Sequence, residues 1–340
     1  MQNISLADIQ KEVKTLQIAE RFFDSVVMFA LSEVGVFAAL ADGPKTFDRL
    51  QAEVGGNVES LRATLDAAVA LNVLSRIDGR YCADEDLLDC LGRTESPAYV
   101  GEWIAFLHAL AGPLFKLDEA IRDGSTPGAL FAKMGGDDLP AKRRTQAMDA
   151  YARTRGIEIA ERLDFAPTRR LLDLACGSGT YSLAIVARHP HVRATLLDLP
   201  DAIAVARPIV ERHGMTDRVE FVAGDAMKYQ ASKPFDTVLV SNMLHMIGPA
   251  ASRKLMKHCL ELVEPGGRLI VQAQYLNDDR TSPRWATLLS LIQRVGTPDG
   301  RNHAIGETTE WMQQAGFMDI RHHRLSAWNV CSCLIGRKPA

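Results

Sequence analysis

Cysteine is scarce in this chain of 340 residues: six in all, at Cys82, Cys90, Cys176, Cys259, Cys331 and Cys333. A scaffold held by disulfides needs more for such a length, and no C-x-x-C pair offers the spacing of a zinc site. Charge of one sign is lacking too. The 39 Lys and Arg residues nearly balance 42 Asp and Glu, leaving a formal net charge of −3. The basic surplus that neutralises phosphates is therefore missing, and no nucleic-acid partner is expected. No stretch reaches the roughly 18 uncharged apolar residues of a membrane span. The opening MQNISLADIQKEVKTLQ carries charges where a secretory leader has an apolar core. The chain reads as cytoplasmic, with no membrane partner. Internal repeats and low-complexity segments are absent as well. What remains, 47% hydrophobic and 24% charged, is the composition of an ordinary globular protein, in a length that argues for about two domains.

The first half has a helical pattern. From Ile18 to Leu40 the residues Phe22, Val26, Phe29, Ala30, Val34 and Phe37 recur at three- and four-residue spacing, which predicts one helix. Its apolar arc is wider than one small domain needs for its own core. TFDRLQAEVGG, VESLRATLDAAVALNVL and LSRIDGRYCAD follow: two short amphipathic helices, then two extended runs around Asp78-Gly79, the pattern of a winged helix-turn-helix. As a DNA reader its second helix is poor, with Arg62 as the only cation against Glu59 and Asp66. A dimerisation or scaffold module over residues 1–97 is the expectation, with a winged-helix ligand-sensing regulator as the reading outside enzymology. Residues 98–165 read as further helices, interrupted by Gly- and Asp-rich loops at Asp123–Gly128 and Gly135–Asp138 of the kind that form lids and substrate walls.

After Pro167 the period changes. RRLLDLAC, VRATLLDLP, RVEFVAGD, FDTVLVSN and GRLIVQAQYL are apolar runs without helical spacing, alternating with helical segments. That alternation predicts a parallel sheet covered on both faces over residues 166–340. MDIRHHRLSAW and NVCSCLIGRKP have no helix between them and should add an antiparallel hairpin at the sheet edge.

The main chemical signal is LLDLACGSGT, residues 171–180. A strand delivers Asp173, the chain turns through Gly177 and Gly179, and a helix begins. Glycines at such a turn let a ligand approach the backbone. It is neither a dinucleotide fingerprint, since Ser182 stands where a third glycine belongs, nor a triphosphate cradle with its Lys. Asp198 ends the second run about twenty residues on, where a carboxylate can accept both hydroxyls of a ribose. Asp225 ends the third, where a carboxylate can accept a purine amino group, with Met227 beside it as a polarizable surface for a ring. Asp198 could equally cap a helix and Asp225 sit in a turn. Together, at successive strand ends, they line the crevice where α/β sheets bind ligands.

LDLACGSG, LLDLP, GDAM, LVSNMLH and EPGGRLIV, in that order, resemble the S-adenosylmethionine-dependent O-methyltransferases with an N-terminal winged-helix dimerisation domain. The resemblance covers nearly the whole chain. It implies a Rossmann-like class I methyltransferase sheet of seven strands ending in an antiparallel hairpin, S-adenosylmethionine as cofactor, and a homodimer. It further implies that Gly177 and Gly179 pass the methionine part of the cofactor, that Asp198 binds ribose, that Asp225 and Met227 frame adenine, and that Ser241 lies near the sulfonium end.

His245 falls where that family carries its general base, a role that suits an imidazole because its pKa lies near working pH. The surroundings depart from the family. His245 is followed by Met246 instead of Asp. The two carboxylates that steady the histidine in phenol-methylating members are replaced by Ala273, between Gln272 and Gln274, and by Asn302. Nothing in the sequence then raises the basicity of His245 or fixes its tautomer. O-methylation of a small secondary-metabolite acceptor is the first expectation. The second is carbon methylation of a 2-oxo acid held on a metal between His245 and His303, a metal acting there as a Lewis acid. Methylation of a thioether or thiol sulfur is the third. Arg301, Asn302 and His303 are candidate substrate residues, Arg301 as partner of a carboxylate. Trp103, Phe106, Phe115 and Trp285 are candidate pocket walls that could equally be core.

Overall fold

The computed structural model describes residues 6–126, 139–327 and 329–340. The described chain divides into two compact units, residues 1–108 and 109–340.

The first unit begins with α1 (Leu6–Glu20), α2 (Phe22–Glu33) and α3 (Val36–Leu40). The single helix expected over 18–40 is thus broken. Gly35, at φ +82°, takes a left-handed conformation that an α-helix cannot continue through, so the chain turns before Val36. Strand β1 (Lys45–Thr46) leads into α4 (Phe47–Val54), followed by α5 (Val58–Ala70), β2 (Ser75–Ile77), β3 (Arg80–Cys82) and α6 (Glu85–Leu91). Thr46 and Asn57 cap α4 and α5 by accepting the Arg49 and Ser60 N–H groups. The β2–β3 turn has both central residues at positive φ, Asp78 at +48° and Gly79 at +72°, which matches the twist of a two-residue hairpin. Leu31, Phe37, Leu50, Leu65 and Tyr81 are buried in one core, and the Tyr81 hydroxyl donates to Asp66 at 2.9 Å. Arg62 lies 3.7 Å over the Phe47 ring. Apolar side chains of α1 and α2 remain exposed, among them Leu16, Ile18, Phe23 and Val26.

Helix α7 (Gly101–Leu114) spans the division, and α8 (Leu117–Asp123) and α9 (Leu139–Arg162) belong to the second unit. Its sheet comprises β4 (Arg170–Leu174), β5 (Arg193–Asp198), β6 (Val219–Ala223), β7 (Phe235–Ser241), β8 (Val263–Ala273), β9 (Met318–Arg324) and β10 (Ser332–Arg337), in the order β6-β5-β4-β7-β8-β10-β9. The first five strands are parallel, and β10 pairs antiparallel with both β8 and β9. The helices are α10 (Thr180–Arg188), α11 (Pro200–Arg212), α12 (Pro249–Leu262), α13 (Arg284–Gly296) and α14 (Ile305–Ala315).

Successive strand residues feed two different cores. Leu172, Val238, Val240, Leu269 and Val271 pack with α12 and α14 on one face. Leu171, Leu196, Leu239 and Ile270 pack with α9, α10 and α11 on the other. Both faces are therefore covered, which is why the runs are continuous rather than alternating. The strand order reverses between β4 and β7, and that reversal opens a crevice at the carboxyl ends of the strands.

Candidate functional site

At the carboxyl end of β4 the chain winds through the left-handed region three times, at Ala175 (φ +63°), Gly177 (+56°) and Gly179 (+77°). Ala175 holds this unfavourable conformation because its N–H and that of Cys176 both donate to the Leu197 carbonyl, at 2.9 and 3.1 Å. The two glycines have different reasons to be there. A Cβ on Gly177 would point into open space, whereas one on Gly179 would come within 2.6 Å of the Leu196 side chain. Gly177 thus leaves room for a ligand against the backbone, and Gly179 lets α10 approach β5.

Asp198 closes this turn from the neighbouring strand. One carboxylate oxygen accepts the Gly177 N–H at 2.7 Å and the other accepts the Leu199 N–H at 2.7 Å. It thus stands beside the glycine turn and holds the chain just ahead of α11, whose cap residue is Leu199 and which has no side-chain cap. Burial raises its pKa, against the pull of those two N–H groups.

Asp173 lies below, in the layer between sheet and α10. It is 1% exposed; Ser182 donates to one oxygen at 2.6 Å, and the other oxygen has no partner. Burial, with the Asp198 charge adding to it, raises its pKa to about 7.

At the end of β6, Asp225 accepts the Met227 N–H at 2.8 Å in a local turn, and its other oxygen faces Lys228 at 3.4 Å. Asp225 and Met227 are both partly exposed.

The ends of β7 and β8 carry a polar cluster that the sequence hardly announced. Ser241 donates to the side-chain amide oxygen of Gln272. The Gln272 and Asn242 amides both donate to the Tyr181 hydroxyl, at 3.3 and 3.0 Å. Asn242 sits at φ +52°, and its own amide oxygen is buried without a partner. Tyr181 reads as a core residue of α10. The one sequence signal for the cluster was the pair of glutamines inside an otherwise apolar strand. The second glutamine, Gln274, donates to the Tyr151 hydroxyl at 3.1 Å.

His245 is the middle residue of a 3-10 turn, Leu244–Met246, just past β7. Its Nδ1 is buried with no hydrogen-bond partner. Burial pushes its pKa down to about 4, and the nearby His303 ring adds to the effect. The absence of flanking carboxylates read from the sequence thus appears as an orphaned ring nitrogen and an imidazole that stays neutral at physiological pH.

His303 turns its Nε2 to the carbonyl oxygens of Leu244 and Ile247, at 3.0 and 3.2 Å, and so has only Nδ1 left for any ligand. Asn302 binds the Ala286 carbonyl through its amide at 2.7 Å and accepts nothing on its buried oxygen. Arg301 pairs with Glu307 at 2.8 Å, a carboxylate that also meets Arg280 at 2.8 Å. These three side chains therefore fasten their loop. Among the described residues no group of three or more His, Cys, Asp or Glu side chains gathers to hold a metal. Phe115 is 68% exposed and Trp285 is half-buried, neither a core residue. Within the first unit, the Trp103 and Phe106 rings meet at a tilt, with centroids 5.3 Å apart. The loop beginning at Asp123 runs beyond the described residues, and Gly135–Asp138 lies outside them.

A seven-stranded sheet in this order, with a glycine turn after its first strand and acidic residues ending the next two, defines a class I S-adenosylmethionine-dependent methyltransferase. The chain belongs to the O-methyltransferase family: the family's O-methyltransferase domain matches residues 118–318, and its dimerisation domain matches residues 16–99. S-adenosylmethionine is accordingly its methyl donor. Among similar proteins are the tetracenomycin polyketide synthesis 8-O-methyl transferase of Streptomyces glaucescens, 28% identical with 95% of this chain and 96% of that one covered, and the 3-hydroxy-5-methyl-1-naphthoate 3-O-methyltransferase of Streptomyces sahachiroi, 27% identical with 94% of each covered. Human N-acetylserotonin methyltransferase, solved in complex with S-adenosylmethionine, shares the fold over 100% of both chains with a TM-score of 0.86 at 21% identity. No helix among the described residues is long and apolar enough to cross a membrane.

Proposed function

We propose that this methyltransferase acts on an acidic hydroxyl of an aromatic secondary metabolite, with His245 as proton acceptor. The observation that carries the reading is the state of His245: an imidazole on the turn past β7, kept neutral by burial and with no partner on Nδ1. A neutral ring holds a lone pair ready for a proton. At a pKa of about 4 it is a weak base, efficient only toward a hydroxyl that is itself acidic. A phenol conjugated to a carbonyl has that property, and the naphthoate relative is named for an aromatic hydroxyl acceptor.

Bound beside the glycine turn, S-adenosylmethionine supplies an electrophilic methyl group on a sulfonium. The chain's own part is to hold, orient and exclude water. Gly177 leaves the space that the methionine part needs, and Gly179 keeps the turn tight. Asp198 retains lone pairs on both oxygens for the ribose hydroxyls. Asp225 and Met227 border adenine, and the Ser241–Gln272–Tyr181 cluster stiffens the floor at the ends of β7 and β8. His245 takes the acceptor's proton as its oxygen attacks. The exposed apolar face of α2 and the end of α1, within the matched dimerisation domain, is covered by a second copy of the chain, and the homodimer works in the cytoplasm.

The test is turnover of a hydroxynaphthoate probe by wild type and His245→Ala. A fall of about 10²–10⁴-fold is expected for loss of a general base. An unchanged rate would mean that positioning alone suffices, as for a sulfur nucleophile.

A further inference from the structure

The turn that carries His245 is short, and no side chain caps its start. Leu244 anchors it in the core, and its carbonyls are held by the loop before α14. His303 Nε2 lies 3.0 Å from the Leu244 carbonyl oxygen and 3.2 Å from that of Ile247, the residues one before and two after His245. Facing two acceptors, Nε2 carries the ring proton and donates it to both, so the lone pair resides on Nδ1. His303 is 3% exposed, and its position is over-determined. Its carbonyl accepts the Leu276 N–H at 3.0 Å while the Leu276 carbonyl accepts the Ile305 N–H at 3.1 Å, which ties the loop to the chain leaving β8. Its ring stands edge-on to Trp311, with centroids 4.9 Å apart. Its neighbour Asn302 is fastened to α13. The same loop also bears on the turn at Gly300, where a Cβ would come within 2.8 Å of the His245 carbonyl oxygen.

We propose that His303 is a positioning residue: its Nε2–H clamps the two carbonyls that bracket His245 and so sets where the His245 imidazole stands relative to the acceptor. In the family pattern a carboxylate steadies the catalytic imidazole from the side. Here the ring has no such partner, and the backbone beneath it is held instead. The inference rests on the reading of His245 as proton acceptor. Through a misplacement of about 1 Å, loss of the clamp is expected to cost on the order of 10²-fold in turnover.

Four variants test it: His303→Leu, which removes the donor; His303→Gln, whose amide can reach both carbonyls; His303→Asn, whose amide stops short; and His303→Leu in a His245→Ala background. Turnover of the hydroxynaphthoate probe is expected to fall about 10–100-fold in His303→Leu and His303→Asn and to return near wild type in His303→Gln. Affinity for S-adenosylhomocysteine should stay within about twofold throughout, which a general loosening of the domain would not allow. Added to His245→Ala, the leucine change should cost nothing more, because its effect passes through the missing imidazole. Should His303→Leu fail to fold, the Asn and Gln pair carries the same comparison. Independent of any acceptor, nitrogen spectra of 15N-histidine-labelled enzyme should show His303 neutral with its proton on Nε2. A proton on Nδ1, an equal loss in the His245→Ala background, or a Gln variant as slow as the Leu variant would each overturn the clamp. If His245→Ala alone leaves turnover unchanged, the base reading falls and takes the clamp's purpose with it, an outcome distinct from a slow His245→Ala with fully additive losses.

Discussion

Replacing Asp173 by Asn should change the pH dependence of stability in a direction fixed by its surroundings. In the native chain this carboxyl is 1% exposed, receives one hydrogen bond, from Ser182, and lies close enough to Asp198 to feel its charge. Its pKa is raised to about 7, against about 3.9 in an unfolded chain. Between those values the folded state holds a proton that the unfolded state has lost, so stability falls as pH rises from about 4 to about 7. Three pH units at about 1.4 kcal/mol each set a ceiling of about 4 kcal/mol on the loss, a large share of the 5–15 kcal/mol or so typical of a whole domain. Asparagine keeps an acceptor for Ser182 and never ionises. Its spare N–H has no partner there, a pH-independent cost of about 1–3 kcal/mol. The variant should therefore gain steadily on wild type from pH 5 upward and should stand above it by pH 8. Urea unfolding of both proteins without cofactor at pH 5, 6, 7 and 8 isolates the effect, because titrating groups distant from Asp173 cancel in the difference. A difference that is flat in pH, or one that grows in favour of wild type as pH rises, would refute the burial of this charge.

A neutral His245 should keep its proton-accepting form down to acid pH. The acid limb of kcat/KM for the acceptor is therefore expected near pH 4, where burial holds its pKa, and a break near 6.5 would mark an ordinary, solvated imidazole. Asp198→Ala should weaken S-adenosylhomocysteine binding by about 1–3 kcal/mol in calorimetry, as for the loss of a buried carboxylate acceptor; Asp225→Ala should cost less, since that carboxylate is occupied by its own turn and by Lys228. Phe23→Glu, on a residue 54% exposed in the apolar face of α1 and α2, should shift the chain from dimer to monomer in sedimentation without unfolding it, and a variant that stays dimeric would move the interface elsewhere.

The sheet was legible because its strands are buried on both faces. Leu171 and Leu172 belong to opposite cores, so each strand had to be apolar throughout, and the punctuation by Gly177, Gly179, Asp198 and Asp225 marked the strand ends. The hairpin turn at Asp78-Gly79 was legible for a similar local reason, since few residue pairs accept two positive φ angles in succession. The break before α3 was missed because hydrophobic spacing continues across Gly35; only that residue's left-handed conformation ends the helix.

By itself the sequence determined the class of fold, the cofactor turn and the candidate base, all of them written in short-range patterns of spacing and residue type. The tertiary structure alone decided what each polar residue of the site does, because that depends on partners far apart in the chain. Arg301 is committed to Glu307 and Asn302 to Ala286. Tyr181 gathers Asn242 and Gln272 from two other elements. His303, which from the sequence could be a metal ligand, spends its donor on the carbonyls around His245, 56 and 59 positions earlier in the chain. A hydrogen bond is satisfied by whichever group the packing brings within reach, and a one-dimensional pattern does not record that proximity.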